Sequence, residues 1–161
     1  MEEMTYKLLT NIPKLPENLI LSVEEVLELE NHAVWEGATK NYTLHRCQDE
    51  LREYLEELFP ERKDFWYQTI VQELPMHKNK NFSEFYNREL PGTRINYLID
   101  AGGENVQTIW YKEVSKENEV YISPTHNVVF PIHTWHELKV FIYHSVVNIE
   151  KGRRRFAITA V

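Results

Sequence analysis

The chain has 161 residues, 42% apolar and 27% charged, which fits one folded domain; disorder is excluded, and so is a helical membrane protein, because no run approaches the ~18 apolar residues of a span. The formal net charge of −7 repels nucleic-acid phosphates, so neither nucleic acid nor membrane is expected as a partner, and the single cysteine, Cys47, excludes an intrachain disulfide. With no apolar run of signal-peptide length near Met1, a cytoplasmic location is expected.

In chain order, "NIPKLPENL" (Asn11 to Leu19) reads as an extended lead-in, since each proline disfavours helix in the residue before it. Ser22 followed by Glu25 forms a capping box and predicts a short helix from about Val23 to His32. A second helix is predicted to begin near His45, with Leu51, Tyr54, Leu55 and Leu58 at helical spacing and Pro60 ending it. After Pro60 the pattern changes to short runs of aromatic and β-branched residues separated by turn-formers. Strands are predicted at Phe65 to Gln72, Thr93 to Ile99, Gln107 to Val114, Glu119 to Ser123, Asn127 to Ile132, Lys139 to Val147 and Arg154 to Val161. The polar stretch from Glu73 to Gly92 is read as a long loop. The expectation is a single domain over 1–161, with 1–60 a helical lead-in whose helices pack on the sheet and 61–161 a β-sandwich or barrel.

No HExxH, P-loop, GxGxxG or paired CxxC is present, which removes zincins, nucleotide-binding folds and zinc ribbons; with no nucleophile elbow and the lone Cys47 in a predicted helix, a cysteine hydrolase is not expected. The chemistry then rests on seven histidines and a basic run. His32 and His45, on predicted helices, read as surface residues; His133 and His136 flank Trp135 and read either as a surface pair or as part of a metal cluster with His144. On the strand from Thr93, alternation puts Arg94, Asn96 and Leu98 on one face and Ile95, Tyr97 and Ile99 on the other, so Arg94 and Asn96 are candidates for a pocket. Trp110 and Tyr111 read as core aromatics. Lys151, Arg153, Arg154 and Arg155 form the one basic cluster beside a turn.

Three segments in order carry a resemblance: His77-Lys78-Asn79, then "TRINYLIDAGGENVQTIWY" (Thr93 to Tyr111), then "YHSVVNIEKGRRRFAITAV" (Tyr143 to Val161). Over roughly Glu73 to Val161 the chain resembles the Fe(II)/2-oxoglutarate-dependent oxygenases, in particular small prolyl- or aspartyl/asparaginyl-hydroxylase-like members. The resemblance implies a mainly β fold, a double-stranded β-helix (jelly roll, cupin-like). It implies His77 and His144 as iron ligands, with Asn79 standing where the pattern has a carboxylate. Arg155, or alternatively Arg153, would take the distal carboxylate of 2-oxoglutarate, with Ala157 where the pattern has serine; Asn96 and Arg94 would line the same pocket. Two imidazoles leave open positions on Fe(II) for a chelating oxoacid and O₂, and a guanidinium offers the oxoacid a bidentate partner. The implied substrate is a small molecule or a protein residue. Two rival readings stand beside this one. The first is a non-catalytic jelly-roll module that binds or assembles without iron, suggested by Asn79 and Ala157. The second is a cupin-like metalloenzyme built from His126, His133, His136 or His144.

Overall fold

The computed structural model describes residues 5–32 and 41–161. The described chain is mainly β, and every strand pairing in it is antiparallel. The first strand, β1, is Tyr6–Leu8. Ser22 caps helix α1 as the sequence predicts, its side chain accepting from the Glu25 N–H, yet α1 spans only Val23–Leu27 instead of reaching His32. Val26 is its single buried residue, and a helix this short persists only where tertiary packing holds it.

The second predicted helix begins later than expected. His45 lies in strand β2 (Tyr42–Arg46), and helix α2 covers Asp49–Leu58. His45 is buried, not superficial: its ring nitrogens lie 3.1 Å from the Leu29 carbonyl and 2.9 Å from Thr43 Oγ1. Cys47, also placed in a helix by the sequence, sits buried between β2 and α2, and burial pushes its thiol up, away from the reactive thiolate.

The next strands are β3 (Phe65–Ile70) and β4 (Leu74–His77), followed by a small hairpin of β5 (Phe82–Ser83) and β6 (Arg88–Glu89). The Glu73 to Gly92 stretch is therefore not an unstructured loop. It contributes a sheet strand because β4 finds a partner far along the chain. Strands β7 (Thr93–Asp100) and β8 (Gln107–Lys116) follow the alternation. Strand β9 is longer than predicted, Glu119–Val128, and runs through Pro124. Pro124 sits opposite Tyr111 beside a bulge, on a strand at the edge of its sheet, where a missing N–H is tolerated. The predicted run from Lys139 to Val147 is split into β10 (Trp135–Lys139) and β11 (His144–Val147), which belong to different sheets; the last strand is β12 (Arg155–Ala160).

One sheet has six strands in the order β1-β10-β7-β12-β3-β2, and the other has four, β4-β11-β8-β9. The period-2 alternation divides the six-stranded sheet cleanly. One face gives Phe65, Tyr67, Ile95, Tyr97, Trp135, Phe156 and Ile158 to a buried cluster that also contains Val26, Leu51, Leu55 and Phe59. The opposite face gives Leu98, Leu138 and Ala157 to a second cluster with Trp110 of β8, Phe130 and Val140. Arg94, Asn96, Arg155 and Thr159 alternate in phase with this second set, so polar groups share the space between the sheets with an apolar lining. No helix among the described residues is long and apolar enough to cross a membrane.

Gly102 holds the start of β12 in place. Its φ of +86° is in the left-handed region, and a Cβ there would meet the Arg155 backbone nitrogen at 3.0 Å. Gly102→Ala is expected to cost about 1–3 kcal/mol, read as a lower urea midpoint with an unchanged slope. An unchanged midpoint would mean that this approach does not constrain the strand.

Candidate functional site

The split after β10 and the pairing of β4 with β11 bring two distant histidines side by side. His77 and His144 are direct cross-strand partners, with ring centroids 4.4 Å apart. Each ring is oriented by a carbonyl two residues before it: His77 Nδ1–H donates to the Pro75 carbonyl at 2.7 Å, and His144 Nδ1–H donates to the Ile142 carbonyl at 2.6 Å. A donor at Nδ1 fixes the tautomer that keeps the lone pair on Nε2, the arrangement in which an imidazole ligates a cation. Burial lowers the pKa of both. For His144 it falls to about 4, by desolvation first and then by the neighbouring His77 and by the charge of Arg94. Both rings are therefore neutral donors at neutral pH.

Strand β12 follows β11 in the chain and carries Arg155 into the interior. The guanidinium is buried with no ion pair or side-chain hydrogen bond among the described residues, and burial alone depresses its pKa to about 10. Close to it is His136 of β10, stacked on Phe130 with centroids 3.9 Å apart and planes 9° apart. Desolvation, then the Arg155 charge, pushes His136 down to about 3. A neutral imidazole beside an unneutralised guanidinium leaves the cation without a counter-ion.

On β7, Arg94 Nη1 and Asn96 Oδ1 are buried without hydrogen-bond partners. Both residues are half-buried, with these two atoms turned to the enclosed side. Tyr42 and Tyr86 lie close enough to feel the Arg94 charge, and burial raises the pKa of each phenol. The Tyr42 hydroxyl accepts from Gln68 Nε2 at 2.9 Å.

Asn79 is two residues beyond His77, its backbone N–H donating to the Val140 carbonyl at 2.8 Å, which ties the segment after β4 to the crossing between β10 and β11. Arg153 is not brought inward. β12 begins at Arg155, so the strand alternation does not reach back to Arg153, which is exposed and bonded to Asp100 at 3.1 Å and Glu150 at 3.2 Å. The basic run is divided accordingly, with Arg155 inside and Arg153 neutralised outside.

The alternative histidine cluster does not assemble. His133 stacks on Tyr97, on the face of the sheet that carries Trp135, whereas His136 points between the sheets. His126 stacks on Trp110 and bonds to Thr5. Among the described residues, no three His, Cys, Asp or Glu side chains are placed to share a metal ion. A cation at His77 and His144 would thus have two imidazoles and no further ligand of these types from the described residues, a donor set that suits a first-row divalent ion with open positions.

The sequence did not single out Tyr42, Gln68 or Tyr86. Gln68 carried a signal, a polar residue in phase with Trp66 and Ile70 on one face of its strand. Comparison with protein-family models and with curated proteins gives no match to this chain.

Proposed function

We propose that the protein is an Fe(II)/2-oxoglutarate-dependent oxygenase on a jelly roll, acting on a small-molecule or protein-residue substrate. One observation carries the reading: two neutral, oriented imidazoles on β4 and β11 share an interior with a buried, unpartnered guanidinium on β12. The interior thus has a place for a cation and a place for an anion, which a metal-chelating oxoacid with a distal carboxylate occupies together. Strand order supports the jelly roll: from β3 onward, leaving aside the β5–β6 hairpin, the chain passes back and forth between the sheets and pairs β3 with β12, β4 with β11, β7 with β10 and β8 with β9.

In this reading His77 and His144 hold the iron through Nε2, with Asn79 or water at the third protein position. Bound there with 2-oxoglutarate, Fe(II) supplies O₂-dependent C–H oxidation coupled to decarboxylation of the oxoacid to succinate and CO₂. Arg155 grips the distal carboxylate with its planar fork, a contact strengthened by the low dielectric between the sheets. Leu98, Trp110, Phe130 and Ala157 keep bulk water from that contact. The test is anaerobic titration with Fe(II) and 2-oxoglutarate. A weak visible charge-transfer band and, on admitting O₂, succinate are expected; neither appearing would sink the reading.

A second reading, a non-catalytic jelly-roll module that keeps the cavity without iron, is favoured by the absence of a third His, Cys, Asp or Glu ligand among the described residues. Metal content separates the two. His144→Ala and His77→Ala are each expected to weaken divalent-ion binding by about tenfold to a hundredfold or more, while His126→Ala, at an exposed ring, leaves it unchanged. Substoichiometric metal in the wild type, unaffected by either substitution, would select the non-catalytic module.

A further inference from the structure

Arg94 is half-buried and has no counter-ion among the described residues, with its Nη1 enclosed, and the arginines around it are matched. Arg62 donates to the Thr93 carbonyl at 2.8 Å and to Glu137 at 3.2 Å, and Arg88 pairs with Asp64 at 2.9 Å. Among the described residues Arg94 has no carboxylate and no hydrogen bond for Nη1, and the neighbouring Asn96 Oδ1 is equally unpaired. An enclosed donor beside an enclosed acceptor, neither with a partner, is costly to leave unmet, so Arg94 Nη1 marks a place for an acceptor that carries negative charge.

That anion is not the one held by Arg155. On the β7–β12 pair, Phe156 is level with Asp100 and Ala160 with Ile95, so Arg155 and Arg94 enter the interior from opposite ends. Roughly 20 Å of strand separates their backbones at ~3.3 Å per residue. Arg94 instead lies on the side of His144, whose ring feels its charge.

We propose that Arg94 binds the carboxylate of the substrate itself, a small free acid such as an amino acid, and so presents its C–H bonds to the His77–His144 site. The inference rests on the oxygenase reading of the His77–His144 site. A carboxylate fits better than a phosphate because one unmatched guanidinium balances one negative charge and its planar fork matches a planar acceptor. A small acid fits because Nη1 is enclosed. Tyr42 and Tyr86, neutral phenols beside Arg94, add polar contacts without adding charge.

The experiment uses the full chain with Fe(II), measuring 2-oxoglutarate consumption and thermal shift with free L-amino acids, with their carboxamides, and with inorganic phosphate. A subset of the free acids is expected to stimulate consumption and raise the melting temperature, while carboxamides and phosphate do neither. Arg94→Met is expected to lower the apparent affinity for the active acid by about a hundredfold, with 2-oxoglutarate affinity held within about threefold of wild type. Arg94→Lys, which keeps the charge but not the fork, should recover part of the loss and covers the case in which the methionine variant does not fold. The proposal is overturned if carboxamides or phosphate match the acids, if no free acid acts, or if Arg94→Met weakens 2-oxoglutarate as severely as Arg155→Met does. Should the wild type bind no 2-oxoglutarate, the oxygenase reading falls by itself. The acid-over-carboxamide thermal shift, taken without cosubstrate, then still decides the role of Arg94.

Discussion

Arg155→Met is expected to lose 2-oxoglutarate binding by about a hundredfold or more while leaving the ligand-free protein as stable as the wild type or more so. The two effects have one cause. In the ligand-free fold the guanidinium is buried with no ion pair among the described residues, and its folded pKa, about 10, lies below the 12.5 of a free arginine. A base whose pKa is depressed by folding destabilises the folded state wherever it is charged in both states. The penalty is therefore present in full below about pH 10 and is relieved only as pH rises above it. Methionine fills similar space without charge, and replacing a buried ionic group by an apolar one is commonly neutral or stabilising by about 1–4 kcal/mol. Removing one partner of a buried, hydrogen-bonded charge pair costs a complex about 2–5 kcal/mol, which sets the scale of the binding loss. Urea unfolding with and without 2-oxoglutarate reads both effects. The cosubstrate should raise the wild-type midpoint and leave that of the variant unmoved; equal shifts in the two proteins would remove Arg155 from the site.

Local signals in the sequence were legible where the neighbours that decide structure are close in the chain. The Ser22–Glu25 capping box formed, α2 put Leu51 and Leu55 inside, and the alternation on β7 separated Arg94 and Asn96 from Ile95 and Tyr97. What was not legible depends on pairings across the chain. His45 reads as the approach to a helix, but Tyr42–Arg46 is a strand because β3 pairs with it. The polar character of Glu73 to Gly92 hides β4, whose partner lies some seventy residues away. The run from Lys139 to Val147 looks like one strand because nothing local announces that the chain changes sheets at Val140 to Tyr143. Two consequences for the site follow. Arg153 and Arg155 are equivalent by period-2 counting, and only the place where β12 starts separates them. His136 looks like half of a surface pair, and only the packing of Phe130 against it shows a histidine of the interior.

Acid should unfold this protein steeply, and the histidines between the sheets are the reason. His136 and His144 have folded pKa values pushed to about 3 and about 4, against 6.5 for a free imidazole, and His77 is lowered in the same sense. On unfolding below pH 6.5 each takes up a proton that the folded state refuses, so the unfolded chain binds more protons and stability falls as pH falls. The contribution is whole above 6.5 and declines as pH falls, that of His144 being lost by about 4 and that of His136 by about 3. Each such proton steepens the dependence by about 1.4 kcal/mol per pH unit, so the two strongly shifted rings together contribute about 3 kcal/mol per unit near pH 5. Urea midpoints measured from pH 7 to pH 4 on metal-free protein give the slope directly. His136→Phe, which can keep the stack on Phe130, and His144→Gln should each remove about half of the contribution from these two rings. Slopes unchanged in both variants would mean that these imidazoles are protonated in the folded state, which would leave His144 no lone pair for a cation. A cation bound at His77 and His144 should sharpen the same limb, because the protons that fill their Nε2 positions also expel it.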